Sequence, residues 1–436
     1  MRLGDYLDVE ELNKLIKSKH IRVQRHPDLS LAILNYSNEC LFDDFWTETI
    51  QKCRGLIINP VANHEICGDC QIISRPFHKF FNLNHSSQPD YHEANLPTVV
   101  PTVTEKMDGW FGILWKCGNV GGEPLSMVPN WDPESRCHYG IASRGSFTSD
   151  GARFGSSKLG KLIKYGAIHE FPEGYSAVFE IIFKAGRIVV DYSFEGLVLL
   201  ALINNETGEE MPYEEMRTVW AKIASYSQGT PWIRLVHAHD LGATPINTIK
   251  QIEIGDYFAT DPEHPEKFDR PPQKMVTKNQ EGFVLTYPRP GTFPIKVKVK
   301  FEDYKRLHRI ITGVTPQVIW KAVHDPMAPW VGGEVPAHFR EWALKWRDDL
   351  YQKFNNNLYG ITALAECGLT RFGDIDFKNS FQRKEMFEFL NEENPKSATI
   401  AIALLEGKIY DAYQAIWNRI KPVGREETFY KEGQGE

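Results

Sequence analysis

Long apolar runs are missing from this chain. The longest, Leu197 to Ile203, is far too short to cross a bilayer, and the opening Met1-Arg2-Leu3-Gly4-Asp5 holds no apolar signal-peptide core. Cysteine is sparse: 7 residues, an odd number, scattered over 436, which argues against a disulfide framework. A surplus of positive charge is lacking too. Lys and Arg number 50 against 57 Asp and Glu, for a net charge of −7 and a pI near 6.1. That balance excludes a nonspecific nucleic-acid coat, although a local basic groove depends only on where the charges sit. No internal repeat or low-complexity segment is visible. What remains is 42% apolar and 25% charged, the composition of a globular protein of two or three domains. It is expected in the cytoplasm, or in the host cytoplasm if the chain is viral.

Cys67-Gly68-Asp69-Cys70, just after His64, is the one spacing that suggests a metal. No second C-x-x-C or H-x-x-x-H accompanies it, so Gly68-Asp69 reads as a hairpin turn. Upstream, Asp8-Val9-Glu10-Glu11 has a capping-box pattern, and Val9, Leu12, Leu15 and Ile16 follow at helical spacing. Val23 to Tyr36 reads as two strands broken at Pro27-Asp28. Cys53 to Ile58 is a strand entered by an arginine, and a strand around Ile72-Ile73 leads into Arg75-Pro76-Phe77-His78-Lys79-Phe80-Phe81-Asn82.

A polar insert spans roughly residues 118 to 138. Tyr175 to Phe183 is an apolar strand with one charge, Glu180, and a carboxylate there is costly to bury without a partner. Lys184-Ala185-Gly186 is expected to turn, with Arg187 to Tyr192 returning as the paired strand. Residues 204 to 280 look less regular, and Thr260-Asp261-Pro262 to Pro271-Pro272 reads as a surface loop. Glu281 then opens an apolar strand. Pro294 to Phe301 alternates strictly, so Lys296, Lys298 and Lys300 share one face. Beyond about residue 303 the period becomes helical. Phe339, Trp342, Ala343, Trp346, Leu350 and Phe354 line one face of a helix starting after Pro336. Further helices are predicted at Phe381 to Leu390 and Ser397 to Ile420, the second broken at Gly407. The last dozen residues read as a charged tail. The expected division is a mixed catalytic domain over 1–302 and a helical domain over 303–436.

The chemistry centres on Glu105-Lys106-Met107-Asp108-Gly109. A lysine two residues before Asp-Gly is the arrangement of an amine that bonds covalently to a nucleotide. It must be neutral to attack, so burial or nearby cations must lower its affinity for the proton. Alone the four letters are weak: K-x-D-G arises by chance in about one chain in ten of this length, and Asp-Gly is a common hairpin turn. The company is stronger. In order come Arg54, Lys79 among aromatics, Lys106, Arg144 in Ser-Arg-Gly, Glu180 after Phe179, Glu281 before Gly282, and Lys298 with Lys300. Nucleotidyl transfer needs placement and charge stabilisation, with cations for the triphosphate and carboxylates for magnesium or ribose hydroxyls.

Joined in that order, the segments resemble the covalent nucleotidyltransferases: DNA ligases, RNA ligases and capping enzymes. The chain is more closely similar to the bacteriophage ATP-dependent single-stranded RNA ligases of the tRNA-repair type, the RNA ligase 1 family. Arg75 to Asn82, Arg54-Gly55 and Arg187-Ile188-Val189-Val190 carry that closer likeness. The resemblance implies an α+β fold, with an antiparallel-sheet nucleotidyltransferase (ATP-grasp-like ligase) domain followed by an all-helical C-terminal domain. It implies that Lys106 attacks the ATP α-phosphate, with Glu105 and Tyr36 near the nucleotide. Arg144 would touch the ribose, although this position is lysine in some phage ligases. Glu180 would bind ribose or metal, Glu281 the catalytic Mg2+ or Mn2+, and Asp325 a further metal. Lys298 and Lys300 would neutralise the α-phosphate, and Arg54 and Lys79 the remaining phosphates or the RNA 5′-phosphate. The implied partner is single-stranded RNA or a broken tRNA with 5′-phosphate and 3′-hydroxyl ends, joined by a monomer working beside an end-healing kinase or phosphatase. Other readings stay open: a DNA ligase, a capping guanylyltransferase, or a noncatalytic RNA-binding protein of ligase-like fold.

Overall fold

The computed structural model describes residues 1–60, 66–118, 130–227, 231–254, 258–259, 273–274, 279–330, 335–424 and 429. Most of the polar insert, the proline-rich segment from Thr260 and most of the charged tail lie outside the described residues. Residues Met1–Arg306 form one compact unit, and a second begins at Leu307.

The N-terminal unit is built on three sheets. Strands β1 (Ile21–Arg25), β2 (Ala32–Tyr36), β3 (Arg54–Asn59) and β4 (Gln71–Ser74) pair in chain order, all antiparallel. Next come β5 (Phe81–Asn82), β6 (Thr102–Glu105), β7 (Trp110–Gly118), β8 (Trp131–Asp132), β9 (Cys137–Ser143), β10 (Tyr175–Ile182), β11 (Gly196–Asn204), β12 (Ile233–Leu235) and β13 (Ala238–His239). A short ribbon of β14 (Phe258–Ala259) and β15 (Gln273–Lys274) precedes β16 (Gly282–Tyr287) and β17 (Ile295–Lys300). The second sheet has the order β12-β11-β10-β7-β9-β8 and the third β13-β6-β16-β17-β5. Only β11–β12 and β17–β5 pair parallel within these two sheets.

The second sheet is covered on both faces, which is why β7 and β10 read as nearly continuous apolar runs. Phe111, Ile113 and Trp115 of β7 pack with Val178 and with Ile33 and Ile57 of the first sheet. On the opposite face Phe179, Ile181 and Leu199 pack with Leu159 and Leu162 of the helix Asp150–Lys164 and with Met216 of the helix Tyr213–Ser225. Burial of each such side chain stabilises by about 1.5–3 kcal/mol. Alternation along β10 puts Glu180 opposite Phe111 in the register, on the face of Val178.

The helix Val9–Lys17 forms as its cap predicts, with Asp8 accepting from the backbone N–H groups of Glu10 and Glu11. Two expectations fail. Arg187 to Tyr192 is not a strand; β10 pairs with β11 instead. Its Ile-Val-Val run looks strand-like, but two of its N–H groups are claimed by Asp108. The segment 204–280 is also more regular than its composition suggests, holding the helices Tyr213–Ser225 and Pro245–Ile254.

The second unit is helical. Pro336 caps the helix Ala337–Phe372, which buries Phe339, Ala343 and Leu350 and leaves Trp342, Trp346 and Phe354 half-buried. Helices Ser380–Glu393, Ala398–Leu405 and Ile409–Arg419 follow, with Gly407 at a φ of 75° between the last two. No described helix is long and apolar enough to cross a membrane.

Candidate active site

The K-x-D-G segment is not a hairpin turn. It carries the chain from β6 in the third sheet to β7 in the second, so Lys106 stands where the two sheets meet. Backbone bonds fix the crossing: Glu105 N–H donates to His237 O at 2.9 Å and Lys106 N–H to Gly282 O at 2.8 Å. Asp108 is buried and anchors its far end. Its Oδ2 accepts from Val189 N–H (2.9 Å) and Val190 N–H (2.8 Å), and its Oδ1 from the Tyr304 hydroxyl (2.7 Å). Its own N–H donates to Tyr192 Oη at 2.8 Å. Burial, reinforced by Glu281, pushes the Asp108 carboxyl up against these bonds. Gly109 permits a close approach: a Cβ there would stand 2.7 Å from Ile181 O and 2.9 Å from Glu180 Cγ. Its N–H donates to Glu180 Oε1 at 2.9 Å.

Opposite this crossing, β16 and β17 supply the partners. Glu281 is 3% exposed at its side chain, and both its oxygens are used: Oε2 lies 2.7 Å from Lys106 Nζ and Oε1 3.0 Å from Lys300 Nζ. Burial pushes this carboxyl up, but Lys106 and Lys300 outweigh it and hold it below the ordinary range. Gly282 takes a φ of 143°, and a Cβ there would meet Val299 O at 2.0 Å, so only glycine keeps Glu281 this close to β17. The alternating face also holds Lys298, 4.9 Å from the Phe80 ring centroid. Lys296 on the same face pairs with Glu210 (2.8 Å) and Thr286 (2.9 Å).

A cleft opens beside Lys106. Arg54, Phe80, Phe111, Glu105, Glu180 and Lys298 are among the residues lining it. Arg54 is buried, its guanidinium lies 4.1 Å from the Phe111 ring, and its Nη1 has no hydrogen-bond partner among the described residues. Burial lowers its hold on the proton from the ordinary value. Burial also raises the Glu105 carboxyl. It pushes Glu180 up to about 7, with Lys106 opposing and Glu281 reinforcing the shift.

A second group of cations gathers on Tyr36. Arg144 Nη1 donates to its hydroxyl at 2.8 Å, and Lys79 Nζ lies 5.3 Å from its ring, between Trp46 and Phe81. Burial raises the phenol, but Arg144, Lys79 and Arg54 outweigh it and bring it down to about 8.

Most of the site residues expected from the sequence therefore meet in one unit: Lys106, Glu281 and Lys300 in direct contact, Arg54, Glu105, Glu180 and Lys298 along the cleft, and Tyr36, Arg144 and Lys79 around the phenol. Asp325 lies in the second unit, exposed in a turn where it accepts from Met327 N–H. Sequence reasoning gave no role to the Asp108 carboxylate or to Tyr192 and Tyr304. Asp108 was at least conspicuous inside K-x-D-G, but nothing local marked its partners. Cys67 and Cys70 close a turn, Cys67 N–H donating to Cys70 Sγ at 3.3 Å. Among the described residues no three His, Cys, Asp or Glu side chains gather as a cation cage. Glu180 and Glu281 fit a magnesium or manganese ion that keeps one or two protein carboxylates and takes its other ligands from phosphates and water.

Cations around a cleft, a lysine paired with the buried carboxylate of Glu281 and the half-buried carboxyl of Glu180 have the make-up of a phosphoryl- or nucleotidyl-transfer site. A family model described as RNA ligase, of the T4 type, matches residues 52–304. That is more than half of the chain, which belongs to this RNA ligase family. Among solved structures, a protein of Aquifex aeolicus assigned as an ATP-dependent DNA ligase aligns at 14% identity and a TM-score of 0.38, over 93% of this chain and 80% of its own. A lysine-to-alanine mutant of Naegleria gruberi RNA ligase, with ATP and Mn, aligns at 14% identity and a TM-score of 0.30, over 48% and 51%.

Proposed function

We propose that this member of the RNA ligase family joins RNA 5′-phosphate and 3′-hydroxyl ends at the expense of ATP, through a lysyl-AMP and an RNA-adenylate. The observation that carries the reading is the contact of two ammonium groups, Lys106 and Lys300, with the one buried carboxylate of Glu281, Lys106 also lining the cleft. In the first step Lys106 Nζ, having lost its proton, bonds to the α-phosphorus of ATP, and pyrophosphate leaves. The RNA 5′-phosphate then takes the AMP and frees Lys106. Finally a 3′-hydroxyl attacks the activated 5′-phosphate, AMP leaves, and the phosphodiester is complete.

Each group has a task by position. The Glu281 carboxylate holds Lys106 Nζ toward the cleft until phosphate oxygens and a cation compete for it. Lys298 and Lys300 neutralise the α-phosphate as charge moves onto it. Phe80 and Phe111 offer apolar faces to the base, Arg144 reaches the ribose, and Arg54 and Lys79 draw the outer phosphates or the RNA 5′-phosphate. Glu180 and Glu281 would hold a magnesium or manganese ion, which supplies charge neutralisation at the phosphates when bound. Adenylyl transfer belongs to residues 1–302 and RNA selection in part to the helical region 303–436, where Asp325 is a further candidate ligand.

The test is joining. The protein with ATP and magnesium should circularise a 5′-phosphorylated single-stranded oligoribonucleotide and leave nicked duplex DNA unsealed. Sealing of the DNA nick alone would overturn the RNA assignment. Labelling by GTP in place of ATP would turn it into a guanylyltransferase, and failure to label with any nucleoside triphosphate would leave a noncatalytic RNA-binding protein.

A further inference from the structure

A strip of rings and cations runs outward from the crossing, along the edge of the second sheet. It begins at Tyr192, whose hydroxyl oxygen accepts from Asp108 N–H. The Tyr192 and Phe194 ring centroids are 5.6 Å apart, and the Arg234 guanidinium lies 3.8 Å from the Phe194 ring. Arg234 belongs to β12, the edge strand, and Trp232 two residues earlier leaves the same face of the chain. Trp232 stacks on Tyr165, with centroids 5.0 Å apart and planes 30° apart, and Lys164 Nζ stands 5.3 Å from the Tyr165 ring. Tyr165 is 51% exposed. Arg234 and Lys164 are exposed as well.

Some surface cations of this unit have carboxylate partners, Arg153 in Asp150, Arg187 in Asp191 and Arg217 in Glu214, while Lys158 lies over the Phe154 ring. Arg234 and Lys164 make no ion pair with a described residue and lie against rings instead. Of the neighbouring acids, Glu195 accepts from Lys184 N–H and Glu170 from the Tyr226 hydroxyl. An exposed cation over an aromatic face, repeated along one edge, is the pattern that pairs a phosphate with a stacked base.

Resting on the ligase reading, we infer that this strip is a track for single-stranded RNA, holding the unpaired nucleotides that flank an end being joined. Phosphates lie toward Arg234 and Lys164, and a base stacks on the exposed ring of Tyr165. The contacts read a π-face and a charge, so the track tolerates any sequence.

The experiment uses the full chain and a fluorescein-labelled, 5′-phosphorylated single-stranded oligoribonucleotide, with affinity read by anisotropy and self-adenylylation from labelled ATP measured on the same preparations. Tyr165→Ala and Arg234→Gln should each weaken RNA binding about tenfold, and Arg234→Gln should also flatten the salt dependence. Both variants should label with ATP as the wild type does, since neither side chain touches the cleft. Lys164→Ala, at an exposed helix end, repeats the test where folding is not in question. Wild-type RNA affinity in all three variants would overturn the track. A wild type that binds RNA through these residues but never labels with ATP would instead overturn the ligase reading and leave the track standing.

Discussion

Replacing Glu180 with glutamine isolates what burial does to one carboxyl at the cleft. That carboxyl rises from its ordinary value of 4.5 to about 7. The gap, 7 minus 4.5 at about 1.4 kcal/mol per pH unit, corresponds to about 3 kcal/mol. The side chain stays partly open to the cleft, and water there reduces the figure to about 2 kcal/mol. The sign follows from the proton. Between these two values the folded protein keeps a proton that the unfolded chain has lost, so the contribution is fully present below about 4.5 and is lost as pH rises through about 7. Urea titrations of wild type and Glu180→Gln at pH 5 and pH 8, followed by tryptophan fluorescence, measure it. From pH 5 to pH 8 the wild type should lose about 2 kcal/mol relative to the variant, whose amide cannot ionise but keeps an oxygen for Gly109 N–H. A difference that does not change with pH, or one that moves in the wild type's favour at pH 8, would refute the reasoning. The second result would mean that Lys106 holds the carboxylate ionised.

Other consequences follow from the same geometry. Lys300→Ala takes away one of the two partners of a buried carboxylate and should cost about 3 kcal/mol by urea titration, with self-adenylylation falling at least tenfold. Lys298→Ala should weaken labelling similarly, because Lys298 lines the cleft beside Phe80; wild-type labelling would contradict the role given to this face. Asp108→Ala leaves two backbone N–H groups and the Tyr304 hydroxyl without their acceptor and should cost about 3 kcal/mol or more. Hydrogen exchange at Val189 and Val190 should rise in that variant, and unchanged protection would show that another group holds the loop. Gly109→Ala drives a methyl group against Ile181 O and should destabilise by about 1–3 kcal/mol, a loss that unfolding curves would reveal.

The parts legible in the sequence were those with a local period or a local chemical signature. Strict alternation from Ile295 to Lys300 put three lysines on one face, and a charge inside an apolar strand singled out Glu180. Lys79 among aromatics also stood out, because a cation inside Phe-His-Lys-Phe-Phe needs a reason. The missed parts depend on contacts far along the chain. Asp108 takes its donors from Val189, Val190 and Tyr304, and no window of residues around K-x-D-G contains them. The same demand explains the misread segment at Arg187: its β-branched residues favour a strand, but tertiary hydrogen bonds to Asp108 override that preference. Helices Tyr213–Ser225 and Pro245–Ile254 were passed over because their apolar faces are narrow, with Met216 and Ile223 the buried residues of the first.

The central claim, that one amine at the junction of two sheets takes up adenylate, is tested most directly by locating the adduct. The protein is incubated with ATP and magnesium, then digested and mapped by mass spectrometry. An AMP-sized increase on the peptide carrying Lys106, acid-labile and absent from Lys106→Ala, is the predicted result. An adduct on another residue, or one that persists in Lys106→Ala, would contradict the account.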